Sequence, residues 1–300
     1  MRALFVLMPA ESKRLIGKAV SQMEAVKRAE DHDWMLISHG STNVYVAEEI
    51  LGKKEFAKLA IRDRYLSGII SRGTLCTTLG DEKPPLLMLN RGVLVAPAPT
   101  MAEMLLQFGR DSVFIKGANA IDRDGNAGVF AGHPEGGGIG WSIGTLLARG
   151  IHIITPVGLE KMIPFVHEAV TLCGQQTLDY CQGMRVGMIP LAGATVVTEI
   201  EALRILTGAE SSHVASGGCS GSEGAITLIA EGETEVVEKS IQLIESIKGE
   251  PPLMPCKGIC EICTPTSPAQ RADYSVEGLT DHCKYKGKSE EELPAYLKNR

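Results

Sequence analysis

These 300 residues hold no block of basic side chains, no basic stripe interleaved with aromatics and no long apolar run. Thirty Lys and Arg against thirty-six Asp and Glu leave a formal charge of −6. The electrostatic footprint of a nucleic-acid-binding surface is missing, and no nucleic-acid partner is expected. The apolar stretch at residues 4–8 runs into Pro9, Glu11 and Lys13, too short for a signal-peptide core or a membrane span. A cytoplasmic protein with no membrane contact is therefore expected. Internal repeats and low-complexity tracts are also absent.

What is present is a globular composition. Hydrophobic residues make up 44% of the chain, enough to bury a full core, and the length suits one large domain plus a smaller one. Apolar runs at 4–8, 34–38, 68–71, 86–89, 93–96, 113–116 and 151–155 read as strands; helical spacing marks 12–31, 44–51, 101–108 and 159–181. Continuous apolar strands between helices indicate an α/β domain at 1–183, a mostly parallel, doubly wound sheet covered on both faces. Over 184–249 the pattern becomes strand (185–190), helix (196–206), two strands (211–215 and 225–230, with a turn at 221–224) and helix (233–247). That is most of a ferredoxin-like α+β module, a unit that often serves as a lid or dimer contact, and a homo-oligomer is expected. Over 250–300 prolines break every long element and aliphatics become sparse. This Cys-rich tail cannot build its own core and is expected to be held by a metal or draped over the main domain.

Candidate chemistry concentrates between residues 113 and 158. Gly136, Gly137 and Gly138 stand between a strand signal and a helix. Lacking Cβ atoms, they let their N–H groups approach an anion at the positive end of that helix; the plainer alternative is a long surface loop. His39, Gly40, Ser41 and Thr42 form a second anion-binding candidate at a helix start, or a simple N-cap. Arg72 and Thr74 can complete an anion site, and Lys161 can supply a counter-charge, unless both cations are solvated surface groups. Asn119 and Asp122 follow the strand at 113–116, where ligands meet open α/β sheets, so either can hydrogen-bond a hydroxyl or act as a base. Asp122, Asp124 and Asn126 also fit a turn with Gly125 at positive φ. His133 and Glu135 flank Pro134 at the mouth of the glycine run and can divide acid and base roles. The expected partner is a small-molecule anion, with no nucleotide cofactor assigned.

Eight cysteines in a reducing compartment read as thiols or metal ligands rather than disulfides. Cys256, Cys260, Cys263 and Cys283 can hold an iron–sulfur cluster or zinc. The spacing lacks the two separated Cys-x2-Cys pairs of a zinc ribbon, which favours iron–sulfur; His282 is an alternative ligand, and reduced, unliganded thiols are the bland reading. Cys76 and Cys219 read as isolated small hydrophobes, and Cys173 and Cys181 as core residues.

Taken in order, LISHGSTNVYVAEEILG, SRGT, VFIKGANAIDRDGNAG and GGGIGWSIGTLLARGIHIITP resemble the superfamily of phosphosugar isomerases, sugar-responsive regulators and coenzyme A transferases, with ribose-5-phosphate and methylthioribose-phosphate isomerases among its members. The likeness covers roughly residues 34–247 and is one of fold. It implies a phosphate loop at HGST and a lid at 185–247. Lys116 and Asn119 stand where the pentose isomerase has catalytic aspartates, with only Asp122 retained, so that activity is not expected. The resemblance offers Cys76 for the methylthioribose-phosphate isomerase thiol and Glu135 or Glu223 for the transferase nucleophile. The leading expectation is a protein that binds a phosphorylated or carboxylated metabolite or a coenzyme A ester, with isomerase- or transferase-type chemistry. The alternative is a non-catalytic ligand sensor or metal-dependent accessory protein on the same fold.

Overall fold

The computed structural model describes residues 1–59, 62–96, 99–255, 258–263 and 283–298. The chain begins with β1 (Arg2–Leu7), α1 (Pro9–Gln22), α2 (Glu24–His32), β2 (Trp34–Ile37), α3 (Ser41–Leu51) and α4 (Lys53–Leu59). It continues through a hairpin, β3 (Gly68–Ser71) and β4 (Thr74–Thr77), then β5 (Leu87–Asn90), β6 (Val93–Leu94), α5 (Met101–Gln107), β7 (Val113–Ile115), β8 (Ala120–Ile121) and β9 (Ala127–Ala131). The remaining elements are α6 (Gly137–Arg149), β10 (His152–Pro156), α7 (Val166–Leu172), β11 (Gly187–Pro190), β12 (Thr195–Val197), α8 (Glu199–Thr207), β13 (Glu210–Ser216), β14 (Ile226–Glu231) and α9 (Thr234–Ile247).

The mixed α/β architecture centres on a six-stranded sheet in the order β12-β10-β7-β2-β5-β6. Strands β2, β7, β10 and β12 run parallel, with Ile37 opposite Ile115 and Ile115 opposite Ile154; β5 and β6 are antiparallel additions. The central strand, Val113-Phe114-Ile115, is buried at every residue. A strand with helices on both faces needs such a continuous apolar run. Two smaller three-stranded sheets complete the body: β1-β14-β13 and β11-β9-β8.

Residues 184–249 do not form a separate ferredoxin-like unit. Strand β11 pairs with β9, β12 extends the main sheet, and β13 and β14 join β1. One apolar core unites Phe5 and Leu7, Ile226 and Leu228, and Ile37, Ile115 and Ile154. Strand β1 therefore lies in an antiparallel sheet, outside the parallel one.

Three helix expectations also change. The helix expected over 12–31 breaks at Met23, which takes extended backbone (φ −62°, ψ 136°) and ends α1 while starting α2. Neither Pro nor Gly marks that break, so the periodicity runs through it. The helix expected over 159–181 shrinks to a single 3-10 turn at Leu159–Lys161 and α7; Pro164 lacks the N–H that a continuous helix requires there. The helix expected at 196–206 gives its first residues to β12 and begins after Thr198, whose hydroxyl accepts Ile200 N–H while Glu201 accepts Thr198 N–H.

Beneath α1 and α3 lies a buried ion network. The Arg14 guanidinium, 2% exposed, meets Glu48, Glu49 (2.9 Å) and Glu250 (2.9 and 3.0 Å) and stacks 4.7 Å from the Tyr45 ring. It ties the root of the C-terminal segment to the first helix.

Candidate functional site

Parallel strands bring their carboxyl ends to one edge, where ligands meet open α/β sheets. There, Ser38–Thr42 after β2, Lys116–Asn119 after β7 and Lys161 after β10 line a single cavity of about 1070 Å³. The loop before α6 contributes His133 and Gly136, the first turn of α6 contributes Gly137 and Gly138, and the C-terminal segment contributes Cys263 and Cys283. The two glycine turns, at 40–42 and 136–138, thus share one cavity.

Both turns present uncapped helix starts. Gly40 and Gly136 are the N-cap residues of α3 and α6, and neither helix has a side-chain cap. Ser41 and Thr42 do not act as caps, contrary to the simple N-cap reading. Among the described residues, the N–H groups of Ser41, Thr42, Gly137 and Gly138 have no acceptor. The Thr42 hydroxyl is buried and likewise without a partner. Gly136 sits at φ +82°, and a Cβ on Gly140 would stand 2.0 Å from Glu135 O. The glycines are therefore what allow this loop to close tightly onto its helix. Asn43 pins the other turn, donating to Ser38 O at 2.8 Å and Ile115 O at 3.4 Å.

Three lysines face the same space: Lys83, Lys116 and Lys161. No Asp or Glu lines the cavity among the described residues. Lys161 Nζ donates to Ala118 O at 2.9 Å, and Lys83 Nζ to Thr77 Oγ1 at 3.0 Å. The Lys116 ammonium has no hydrogen-bond or ion-pair partner among the described residues, though the residue's backbone N–H donates to Ile154 O; burial, and then the Lys161 charge, pull its pKa down to about 8. Burial likewise lowers Lys161 to about 8, with Lys13 adding to the effect and Glu160 and Glu199 opposing it. His39 is held neutral: burial drops its pKa to about 4, helped by Lys83 and Lys116. Its Nε2–H donates to Pro84 O at 2.8 Å. Asn119 Oδ1 accepts Phe130 N–H at 2.9 Å, leaving its NH2 as the available donor. His133 Nδ1 accepts Glu135 N–H, and its ring packs edge-on against Trp141. Much of the rest of the wall is apolar, including Leu86, Met88, Phe114, Phe130 and Ile139, with Ser67, Thr77 and Thr100 adding hydroxyl groups.

Other expected site residues lie elsewhere. The buried Asp122 carboxylate accepts N–H groups from Asp124, Asn126 and Val166 at 2.9 to 3.1 Å, and these bonds hold its pKa low against burial. It fixes the turn between β8 and β9, with Gly125 at φ +79°, and does not line the cavity. Glu135 is exposed and accepts Trp141 Nε1–H at 3.2 Å. Arg72 and Gly73, at φ +52° and +66°, are the two central residues of the β3–β4 hairpin turn. Positive φ at both positions is what the tight primed turns demand, so SRGT is a turn; neither Arg72 nor Thr74 lines the cavity. Cys256 and His282 lie outside the described residues. Cys260 is buried with Tyr285, Leu293 and Leu297, and Cys283 packs against that cluster.

Lys83 and Lys116 were not foreseen as site residues. Lys116 had a readable signal, a cation directly after the buried strand VFI; Lys83, inside GDEKPP, had none. Among the described residues, no three His, Cys, Asp or Glu side chains could hold a single metal ion, and no helix is long and apolar enough to cross a membrane. Comparison with protein-family models, curated proteins and solved structures gives no match for this chain.

Proposed function

We propose that this chain binds a phosphorylated or carboxylated metabolite, with the anionic end between the starts of α3 and α6 and the remainder along the apolar wall. The carrying observation is Lys116, a half-buried ammonium beside Lys161 with no counter-ion among the described residues. A desolvated charge without a partner is costly, and an anion from solution supplies the partner. The N–H groups and the Thr42 hydroxyl add donors to the same site.

A cavity of about 1070 Å³ is large for a simple sugar phosphate. Its volume and apolar wall fit an extended organic phosphate, with a coenzyme A ester as the best match among the expected classes. Lys116 can take or give a proton near neutral pH, and Asn119 can hold a carbonyl or hydroxyl oxygen, which suits isomerase- or transferase-type chemistry. Glu135 and Glu223 do not line the cavity, so the glutamyl route implied by the transferase resemblance lacks its nucleophile there. That observation favours the second reading, a ligand sensor or accessory protein on the same scaffold.

A thermal-shift series on the full chain tests the site. Inorganic phosphate, pyrophosphate, ribose 5-phosphate, coenzyme A and acetyl coenzyme A are compared with ribose and spermidine. The best anion at 100 times its Kd should stabilise the fold by about 2.7 kcal/mol, with coenzyme A compounds ahead of ribose 5-phosphate. No shift with any anion would sink the proposal.

The lysines also set a pH dependence. Lys116 and Lys161 titrate near pH 8 when free, and a bound anion raises both pKa values. The complex then holds more protons than the free protein, so affinity falls as pH rises through 8, by about tenfold per pH unit for each lysine. Calorimetry at pH 7, 8 and 9 in buffers of different ionisation enthalpy should show weakening with net proton uptake. Affinity that is flat or rising over this range contradicts the assignment.

A further inference from the structure

We infer that Glu199 and Glu160 hold one proton between them behind Lys161, and that the neutral Glu199 is the positioning residue that aims this lysine while leaving its charge to the anion. Its role at Lys161 rests on the anion site proposed above.

Glu199 opens α8 and is fully buried. Its Oε2 accepts Leu159 N–H at 2.9 Å, and Lys161 N–H closes the same 3-10 turn on Gly158 O at 3.0 Å. The carboxyl group thereby fixes the turn from which Lys161 enters the cavity. Its other oxygen, Oε1, is buried and meets no aligned donor among the described residues, and Glu160 Oε2 is in the same state. Both close on one bare Cα: a Cβ on Gly158 would stand 2.9 Å from Glu160 Oε2 and 3.2 Å from Glu199 Oε1.

Two such oxygens are costly as a pair of carboxylates, which repel and leave each other unsatisfied. One proton removes the cost, because the O–H of one group supplies the donor that the other lacks. Glu160 Oε1 already meets Lys13 Nζ at 2.7 Å. Glu199 has only neutral donors close by, so the proton sits on Glu199 Oε1. Burial, with the Glu160 charge adding to it, pushes this carboxyl up to about 7, against the pull of Leu159 N–H and the Ser12 hydroxyl. With Glu199 neutral, Lys13 and Glu160 balance each other, and the Lys161 ammonium keeps only the Ala118 carbonyl. An ionised Glu199 would compete with the anion for that ammonium.

The other charges on neighbouring elements are taken or turned away. On α1, Glu11 is held by Lys248 and Arg14 by its three glutamates, while Lys18 reaches Glu49. On α8 itself Glu201 caps Thr198. The charged side chains of α9 are exposed; on β13, Glu210 is exposed and His213 bonds Ser216 at the surface.

The test compares wild type, Glu199→Gln and Glu160→Gln as full chains. A carboxamide at 199 reproduces the neutral carboxyl, with an oxygen for Leu159 N–H and an NH2 for Glu160. In carbon-13 NMR of ligand-free, glutamate-labelled protein, wild type should show a carboxyl titrating near pH 7 that is absent from Glu199→Gln and moves to lower pH in Glu160→Gln. Because the folded pKa lies above the ordinary 4.5, the stability this group contributes is full below that pH and is lost as pH rises through 7. Urea unfolding should therefore show wild type losing roughly a hundredfold in its folding equilibrium, relative to Glu199→Gln, between about pH 5 and 8. In calorimetric titration with pyrophosphate, Glu199→Gln should match wild type near pH 6 and bind roughly tenfold more tightly near pH 8. A Glu199→Gln chain that fails to fold, or a wild type with no carboxyl titrating near neutral pH, overturns the shared proton. Parallel pyrophosphate profiles in the two proteins overturn the role at Lys161. A wild type that titrates as expected but binds no pyrophosphate brings down the anion site and that role together, leaving the carboxyl pair established by its ligand-free measurements.

Discussion

Lys116→Met should weaken binding of pyrophosphate and coenzyme A by about thirty- to a thousandfold while leaving the free protein as stable as wild type or more so. The binding loss follows from removing a close charge partner in a desolvated site, about 2–4 kcal/mol. The stability gain follows from the same charge. Burial depresses the Lys116 pKa, so the ammonium is held less favourably in the folded state than in the unfolded chain at pH 7, and methionine relieves that penalty. Opposite signs in the two measurements separate a binding residue from a structural one. Calorimetric titration beside urea unfolding checks both, and unchanged affinity in a folded Lys116→Met protein would remove the basis of the anion site. Lys161→Met should lose affinity less cleanly, because its ammonium also holds Ala118 O.

Arg14→Ala should destabilise the fold by about 3–5 kcal/mol, the usual effect of breaking a buried ion pair from one side. Three carboxylates, Glu48, Glu49 and Glu250, would lose their shared cation beside the Tyr45 ring. Lys18 reaches Glu49, and Arg62 reaches Glu48 and Glu250, but only at 3.3 to 3.7 Å. Arg14→Lys should recover only part of the loss, since an ammonium cannot reproduce the planar fork. Urea unfolding at pH 7 measures both. The deficit should shrink as pH falls, because the Glu250 pKa is lowered in the folded state by Arg14, Lys53 and Arg62, and the stability it contributes fades on acidification. A loss in Arg14→Ala below about 1 kcal/mol would place the network among ordinary surface pairs.

Much of the scaffold could be read from the chain because its signals are local. VFI, WMLI and HIITP are short apolar runs between helical patterns, and each is a strand of the central sheet. The glycines at 40 and 136–138 were legible for the same reason, since a bare backbone before a helix is visible in a few letters. Features set by distant pairing were hidden. Nothing in residues 2–7 says that their neighbour is β14, and nothing near Cys76 points to Gly258 or Cys283. Asp122 was ambiguous because a turn aspartate and a catalytic one look alike until its hydrogen bonds are counted. Arg72 misled because a residue at positive φ beside a glycine reads as a loop cation, while its backbone conformation serves the turn.

The pairing of β1 with β14 bears on how the chain is made. Arg2 meets Glu231, which lies 229 positions later in the sequence. At roughly 5–20 residues per second, the first strand leaves the ribosome on the order of ten to fifty seconds before its mate exists. Throughout that interval Phe5 and Leu7, buried in the finished molecule, have no cover from β14. Nascent chains halted before residue 226 should therefore be the ones that holdase chaperones retain.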